Sequence, residues 1–453
     1  MASDLGPKNS YYAPFEKAMS RVSKPIDRFL HAETTSSIIL ILCTIAALLF
    51  ANTALSHHYE HFFHTHISFH IGSYVISHTL HHWINDLLMA LFFFVVGLEI
   101  KREVLMGELS DAKAAFLPVA AAIGGMVFPA GIYWLINGAG PGASGWGIPM
   151  ATDIAFAVGV LMLLGDRIPK SLVTFLLALA IVDDLGAVVV IAIFYTENLN
   201  LLALGAVGVF LVAMIGLNLL GVRKVAPWLI LALGMWVAMF ESGVHATVAG
   251  VLAAWCIPGK PKVKASHFSA SMRAMLDRFD RSYKGDNNLT NNDMQRAIVD
   301  TMQEGIGKVQ SPLQRLESSF HVVVAFFILP LFALANAGVP ISMGAITDVF
   351  SDPIPFGIIM GLVVGKLIGI TGVSLLLVKL GIGQLPAGCT PSHMVGVGFM
   401  GGIGFTMSIF IAELGFRSSP ELLVEAKMGV LVASLIAGIG GYLWFIFTAK
   451  KSA

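Results

Sequence analysis

The 453-residue sequence is poor in charge and in cysteine: only 12% of its residues are Asp, Glu, Lys or Arg, the two signs cancel, and there are 3 cysteines. So little charge excludes an ordinary soluble globular chain. A net charge of zero offers no basic field, so no nucleic-acid partner is expected. Cys43, Cys256 and Cys389 imply no disulfide framework. The first 30 residues are polar and basic and lack the apolar stretch and small-residue cleavage site of a secretory leader, so no removed leader is expected.

What the chain has instead is apolar length. Hydrophobic residues make up 56% of it, and the mean hydropathy is +0.79. Runs of about 20 apolar residues are long enough to cross a bilayer as helices. They occur at 36–55, 83–100, 112–136, 147–165, 171–195, 200–221, 226–240, 243–257, 319–339, 354–380, 394–415 and 424–448. The expected fold class is an all-α polytopic membrane protein with twelve transmembrane helices, whose first partner is the lipid bilayer.

Orientation follows from Lys and Arg, which short cytoplasmic loops retain and translocated loops exclude. Twenty-five of the 28 basic residues fall in the two tails and every second loop, Arg417 and Lys427 fall outside, and Lys366 lies within a span. Both termini are therefore expected in the cytoplasm, with a cytoplasmic tail at 1–35 and a cytoplasmic end at 449–453. Spans 1–8 occupy 36–257, including an outside loop at about 57–82. A cytoplasmic loop fills 258–316, and spans 9–12 occupy 317–448.

Two segments interrupt this plan. The outside loop from His57 to His82 holds nine of the 14 histidines. Their spacing is irregular, and of the two readings, metal capture or a structural turn, "ISFHIGSYVIS" favours a short β-hairpin turning at Gly72-Ser73. In the cytoplasmic loop, "GDNNLTNND" resembles a calcium loop. Counted from Asp286, however, it places Asn291 where glycine is needed and Ala297 where glutamate is needed. Met294, Ile298, Met302 and Ile306 then recur at four-residue steps, the pattern of an amphipathic helix over Asp293–Gln310 capped by Asn292.

The decisive residues are charges inside apolar runs: Asp153, Asp183, Asp184 and Lys366. Each costs roughly 2.5–3.5 kcal/mol at the centre of a span, so four together call for a function or a partner. Asp183 and Asp184 are adjacent in "ALAIVDDLGAVVV" and point about 100° apart on a helix, so they must meet different neighbours. A structural ion pair would account for Lys366 and one acid while leaving two acids unexplained. Asp153 lies in "GIPMATDIAFAVG", a span interrupted by Gly147, Pro149 and Thr152, and glycines likewise punctuate "VGVGFMGGIGFTMSIF". Interrupted spans free backbone groups that bind small ions, and a matched pair of them is a transporter pattern. These are spans 4 and 11, the middle members of triplets 3–5 and 10–12 that run in opposite directions, as an inverted repeat requires.

With "ATDIAFAVGVLMLLGDRIP", "FLLALAIVDDLGAVVVIAIFY", "ESGVHATVAG", "LPLFALANAGV", "GLVVGKLIGI" and "GGIGFTMSIFIAEL" in order, the chain resembles the NhaA-type bacterial sodium/proton antiporters from about Lys24 to Tyr442. The resemblance implies inverted-topology repeats with discontinuous helices 4 and 11 whose extended segments cross in mid-membrane. It makes Asp184 and Asp183 the ion and proton carriers, places Asp153 and Thr152 at the site, and pairs Lys366 with Asp183. It further implies exchange of more than one proton per Na+, acceptance of Li+ and activation at alkaline pH. The pH-sensing region would be Glu99, Lys101, Arg102 and Glu103 with Glu317 and His321. The setting would be the bacterial inner membrane, with a homodimer through the outside hairpin. No cofactor is implied beyond the transported Na+ or Li+ and H+. The loop before Glu317 is longer than this family needs.

Chemically, one buried carboxylate can hold Na+ when ionised or a proton when neutral, never both. A second titrating group, here the Asp183–Lys366 pair, would make the exchange electrogenic. A sodium-coupled organic-anion symporter would need more polar cavity groups and fewer buried acids. An intramembrane aspartyl protease would need its two acids on separate spans within a Gly-x-Gly-Asp motif that is absent.

Overall fold

The computed structural model describes residues 33–71, 74–196, 199–263, 265–283, 292–341 and 349–448. The proposed hairpin turn at Gly72-Ser73, the basic N-terminal tail, residues 286–291 of the stretch counted from Asp286 and the last basic residues lie outside the described residues. The helices are α1 (Glu33–Ala51), α2 (Ser56–Phe63), α3 (Leu80–Met106), α4 (Ala112–Asn137) and α5 (Ile154–Met162), the last preceded by a 3₁₀ segment, Ala143–Met150. They continue as α6 (Lys170–Phe194), α7 (Leu201–Leu219), α8 (Val225–Phe240), α9 (Thr247–Cys256), α10 (Ala265–Arg281) and α11 (Asp293–Val309). The series closes with α12 (Pro312–Asn336), α13 (Pro353–Lys379), α14 (Pro391–Gly401), α15 (Phe405–Gly415) and α16 (Pro420–Thr448). Strands β1 (His66–Ile71) and β2 (Tyr74–Thr79) pair antiparallel, His66 opposite Thr79 and Ile71 opposite Tyr74.

Eight of these helical spans are long and apolar enough to cross a membrane, and up to ten if each of two bent pairs, α1 with α2 and α14 with α15, counts as one. The protein is thus a multi-pass, mostly helical membrane protein. Its exposed residues include Leu42, Val127, Leu135, Ile193, Leu202, Val209 and Leu219, an outer surface suited to lipid rather than water.

Two groups of helices share the interior. In one, α3 packs along α9, α8 packs on α7, and the first part of α12 lies on α3. In the other, α4 packs on α6, α13 and the 3₁₀ segment, while α16 covers α13, α14 and α15. Small residues allow the closest approach: a Cβ on Gly124 would stand 2.5 Å from the carbonyl oxygen of Gly369, so the backbones of α4 and α13 touch there. This contact lies one turn from Lys366, which is itself flanked by two stretches of wide π-helical turns, Met360–Gly365 and Leu367–Gly372.

Among the described residues, the 258–316 loop contains two helices where the apolar pattern predicts one. In α11, Asn292 caps the helix by accepting a hydrogen bond from Gln295 N, and Ile298 is buried, yet Met294 and Ile306 are exposed. Four-residue steps advance the stripe about 40° each, so its ends rotate away from α10 while its middle stays packed.

Candidate functional site

The chain breaks its helices where they would otherwise be most regular. Pro149 and the glycines before it end the 3₁₀ segment at Met150, and residues 151–153 run extended before α5 begins. Gly401 and Gly402 end α14, and α15 restarts at Phe405 with a 43° bend. The freed backbone groups serve one another: Asp153 N donates to Ile403 O at 2.7 Å, Thr152 Oγ1 to Gly401 O at 2.9 Å, and Ser408 Oγ to Ile148 O at 2.7 Å. The two breaks therefore cross inside the protein.

Asp153 joins the starts of both second halves. Its Oδ1 accepts from Phe156 N at 2.9 Å, and its Oδ2 accepts from Thr406 N at 3.1 Å and Thr406 Oγ1 at 2.5 Å. Both helices present their positive ends to this carboxylate, which compensates two dipoles at once. On the other side of Thr152, Lys366 Nζ donates to Thr152 Oγ1 at 2.9 Å and to Asp183 Oδ2 at 2.6 Å. Lys366 and the three acids are each at most 2% exposed.

Asp184, one residue along α6, is placed differently. Among the described residues, neither of its carboxylate oxygens has a hydrogen-bond partner. Its charged neighbours are Asp183, Asp153 and Glu99, opposed by Lys366. The 100° helical step accounts for the contrast: Asp183 turns to Lys366 of α13, while Asp184 turns away from it and is left among acids that cannot neutralise it.

The six residues expected to sense pH divide. Arg102 contacts Glu317 and also Glu103, the latter at 2.8 Å, while His321 Nδ1 lies 3.4 Å from Glu99 Oε1. Lys101 turns elsewhere, donating to Trp255 O and Ile257 O at 2.5 Å each, where it serves the free carbonyls at the end of α9.

A second buried polar cluster, which the apolar pattern does not reveal, lies at the hairpin end. Lys427, which the loop-charge count assigns to the outside face, lies buried in α16, with Nζ 2.6 Å from Glu413 Oε1. Asp86 meets His82 at 2.8 Å and His245 at 3.4 Å. Asn336 Nδ2 donates to Asn85 Oδ1 at 2.8 Å. The signal was an acid at the edge of an apolar run, Asp86 in "WINDLLMALFFF" and Glu413 in "SIFIAELGF", each passed over as a span end.

A buried carboxylate with no partner among the described residues, beside the crossing of two broken membrane helices, is the arrangement of an ion transporter, and comparison with known proteins agrees. The sequence profile of the Na+/H+ antiporter 1 family matches residues 27–445. The chain belongs to this family. It is 51% identical over 441 residues to the Na+/H+ antiporter NhaA of Sulfurimonas denitrificans, covering 97% of this chain and 99% of that one. It is 49% identical over 430 residues to NhaA 1 of Saccharophagus degradans (95% and 93% covered) and 48% identical over 433 residues to NhaA of Oleidesulfovibrio alaskensis (95% and 94% covered). The family is one of secondary transporters, not enzymes.

Proposed function

We propose that this chain is an electrogenic Na+/H+ antiporter that also carries Li+, with Asp184 as its principal ion ligand. The observation that carries the reading is Asp184 itself, with two carboxylate oxygens buried and unpartnered among the described residues. Ionised, it offers Na+ a hard oxygen ligand; protonated, it has no charge to hold the ion, so the two cargoes exclude each other. Thr152 and Asp153 hold the crossing beside it, and Asp153 adds a second negative field for the cation. The Asp183–Lys366 pair supplies a further exchangeable proton, released from one of its two groups when sodium enters. More than one proton per Na+ then moves net charge across the membrane.

Exchange also requires access from one side at a time. The two helix groups supply bodies that can shift against each other, with the crossing at their boundary. In this reading the eight long helices, the two bent pairs and the shorter apolar helices α8 and α9 make twelve spans, with triplets 3–5 and 10–12 as inverted repeats. Both termini face the cytoplasm of a bacterium, and the protein sits in the inner membrane. Arg102, Glu103, Glu317, Glu99 and His321 set its pH response at the cytoplasmic end, and β1–β2 joins two copies as a homodimer. The role served is export of Na+ and control of internal pH, with no resident cofactor.

The test is fluorescence of a ΔpH dye in proteoliposomes across a pH series. Na+ and Li+ should dissipate the gradient and K+ should not, and an imposed membrane potential should change the rate. Sodium flux without proton counterflow would overturn the reading.

A further inference from the structure

The half-helix α15 runs from the crossing to the hairpin end of the molecule, and three of its side chains lie on one face at successive levels. Thr406 holds Asp153. One turn on, the Phe410 ring lies 5.7 Å from Phe93 of α3, 6.2 Å from Phe332 of α12 and 5.4 Å from His245, closing the boundary with aromatic surface. Glu413 is seven residues beyond Thr406, which returns it to nearly the same helix face about 10 Å further along.

Glu413 meets groups from both sides. Lys427 of α16, in its own helix group, lies 2.6 Å from Oε1. His81 of α3, in the other group, lies 3.6 Å from the same oxygen. The orientation of His81 is assigned by its second contact, Nε2 to Asn336 Oδ1 at 2.9 Å. Asn336 Nδ2 donates to Asn85 Oδ1 and to Phe332 O, which leaves its Oδ1 as the acceptor, so Nε2 of His81 carries the hydrogen and donates it to Asn336, with the Glu413 carboxylate beside the same nitrogen as a charge contact. If the two helix groups separate at this end, Lys427 and Glu413 travel together while His81 and Asn336 stay behind.

We propose that the His81–Glu413 contact is a latch that holds the hairpin-end route to the ion site closed, with Lys427 and Asn336 fixing the two halves of the latch. It rests on the exchange of access proposed above and gives that exchange a defined contact to break. Nothing in the latch needs to bind the transported ion. Its effect is on which face of the protein is open, and therefore on how readily each face captures sodium, because apparent affinity scales with the population of the competent state.

The test uses the full-length protein in oriented proteoliposomes, with Na+ titrated from one face at a time. For Glu413→Gln, the apparent KM for Na+ at the hairpin face should fall by about threefold to tenfold and that at the opposite face should rise by a similar factor. The number of protons exchanged per Na+ should not change. His81→Asn leaves the Lys427–Glu413 pair intact and should act in the same direction, and the double variant should exceed neither single variant, since all three remove one contact. Equal changes at both faces, or no change in a folded protein, would overturn the latch. Failure of the underlying site reading would appear separately, as exchange that persists in Asp184→Asn.

Discussion

The crossing and the hairpin-end cluster are both buried, both charged and both built around carboxylates, yet they treat those carboxylates in opposite ways. At the hairpin end Asp86 has two histidines and Glu413 has a lysine and a histidine. At the crossing, Asp153 and Asp183 are similarly supplied, but Asp184 has mainly other acids as its charged neighbours and, among the described residues, accepts nothing. Burial of charge in a membrane is therefore not in itself the mark of a transport site. A matched carboxylate organises the fold, and an unmatched one is free to take cargo.

Substitutions sharpen this contrast in order of effect. Asp184→Asn should bring sodium-driven proton movement in everted vesicles to background while leaving the melting temperature unchanged or raised, because the amide removes a buried charge that had no partner. Exchange at wild-type rate would break the contrast outright. Lys366→Ala should do the reverse in stability, costing about 3–5 kcal/mol by leaving Asp183 buried and uncompensated, which a thermal or denaturant unfolding series would register. Thr406→Val removes one hydrogen bond to a charged group while preserving shape, so a loss of about 1.5–3 kcal/mol in stability is expected, with slower transport. The smallest effect belongs outside both regions: Asn292→Ala should cost about 1 kcal/mol at the start of α11, detectable as faster hydrogen exchange there, with transport unaltered.

Much of the crossing could be read from the sequence because its chemistry breaks strong local rules. Aspartates and a lysine inside apolar runs, and Gly or Pro inside spans, are rare enough to be noticed without coordinates. The hairpin-end cluster broke no such rule. Lys427, near the start of a span, looks like a loop charge, and Asn85 and Asn336 look like ordinary polar edges; only packing brings α3, α12, α15 and α16 to one place. The helix α10 escaped for a related reason, since its apolar residues are interleaved with basic and small polar ones and its partner is another surface helix.

Composition and periodicity alone determined that this chain lives in a bilayer, where its long apolar helices run, and which four charges cannot be incidental, because hydration penalties act residue by residue. Which oxygen of which aspartate is satisfied was decided only by tertiary structure. Asp183 and Asp184 are indistinguishable as letters. They differ because one helical step turns the first toward Lys366, 183 residues away in sequence, and the second toward acids that cannot neutralise it.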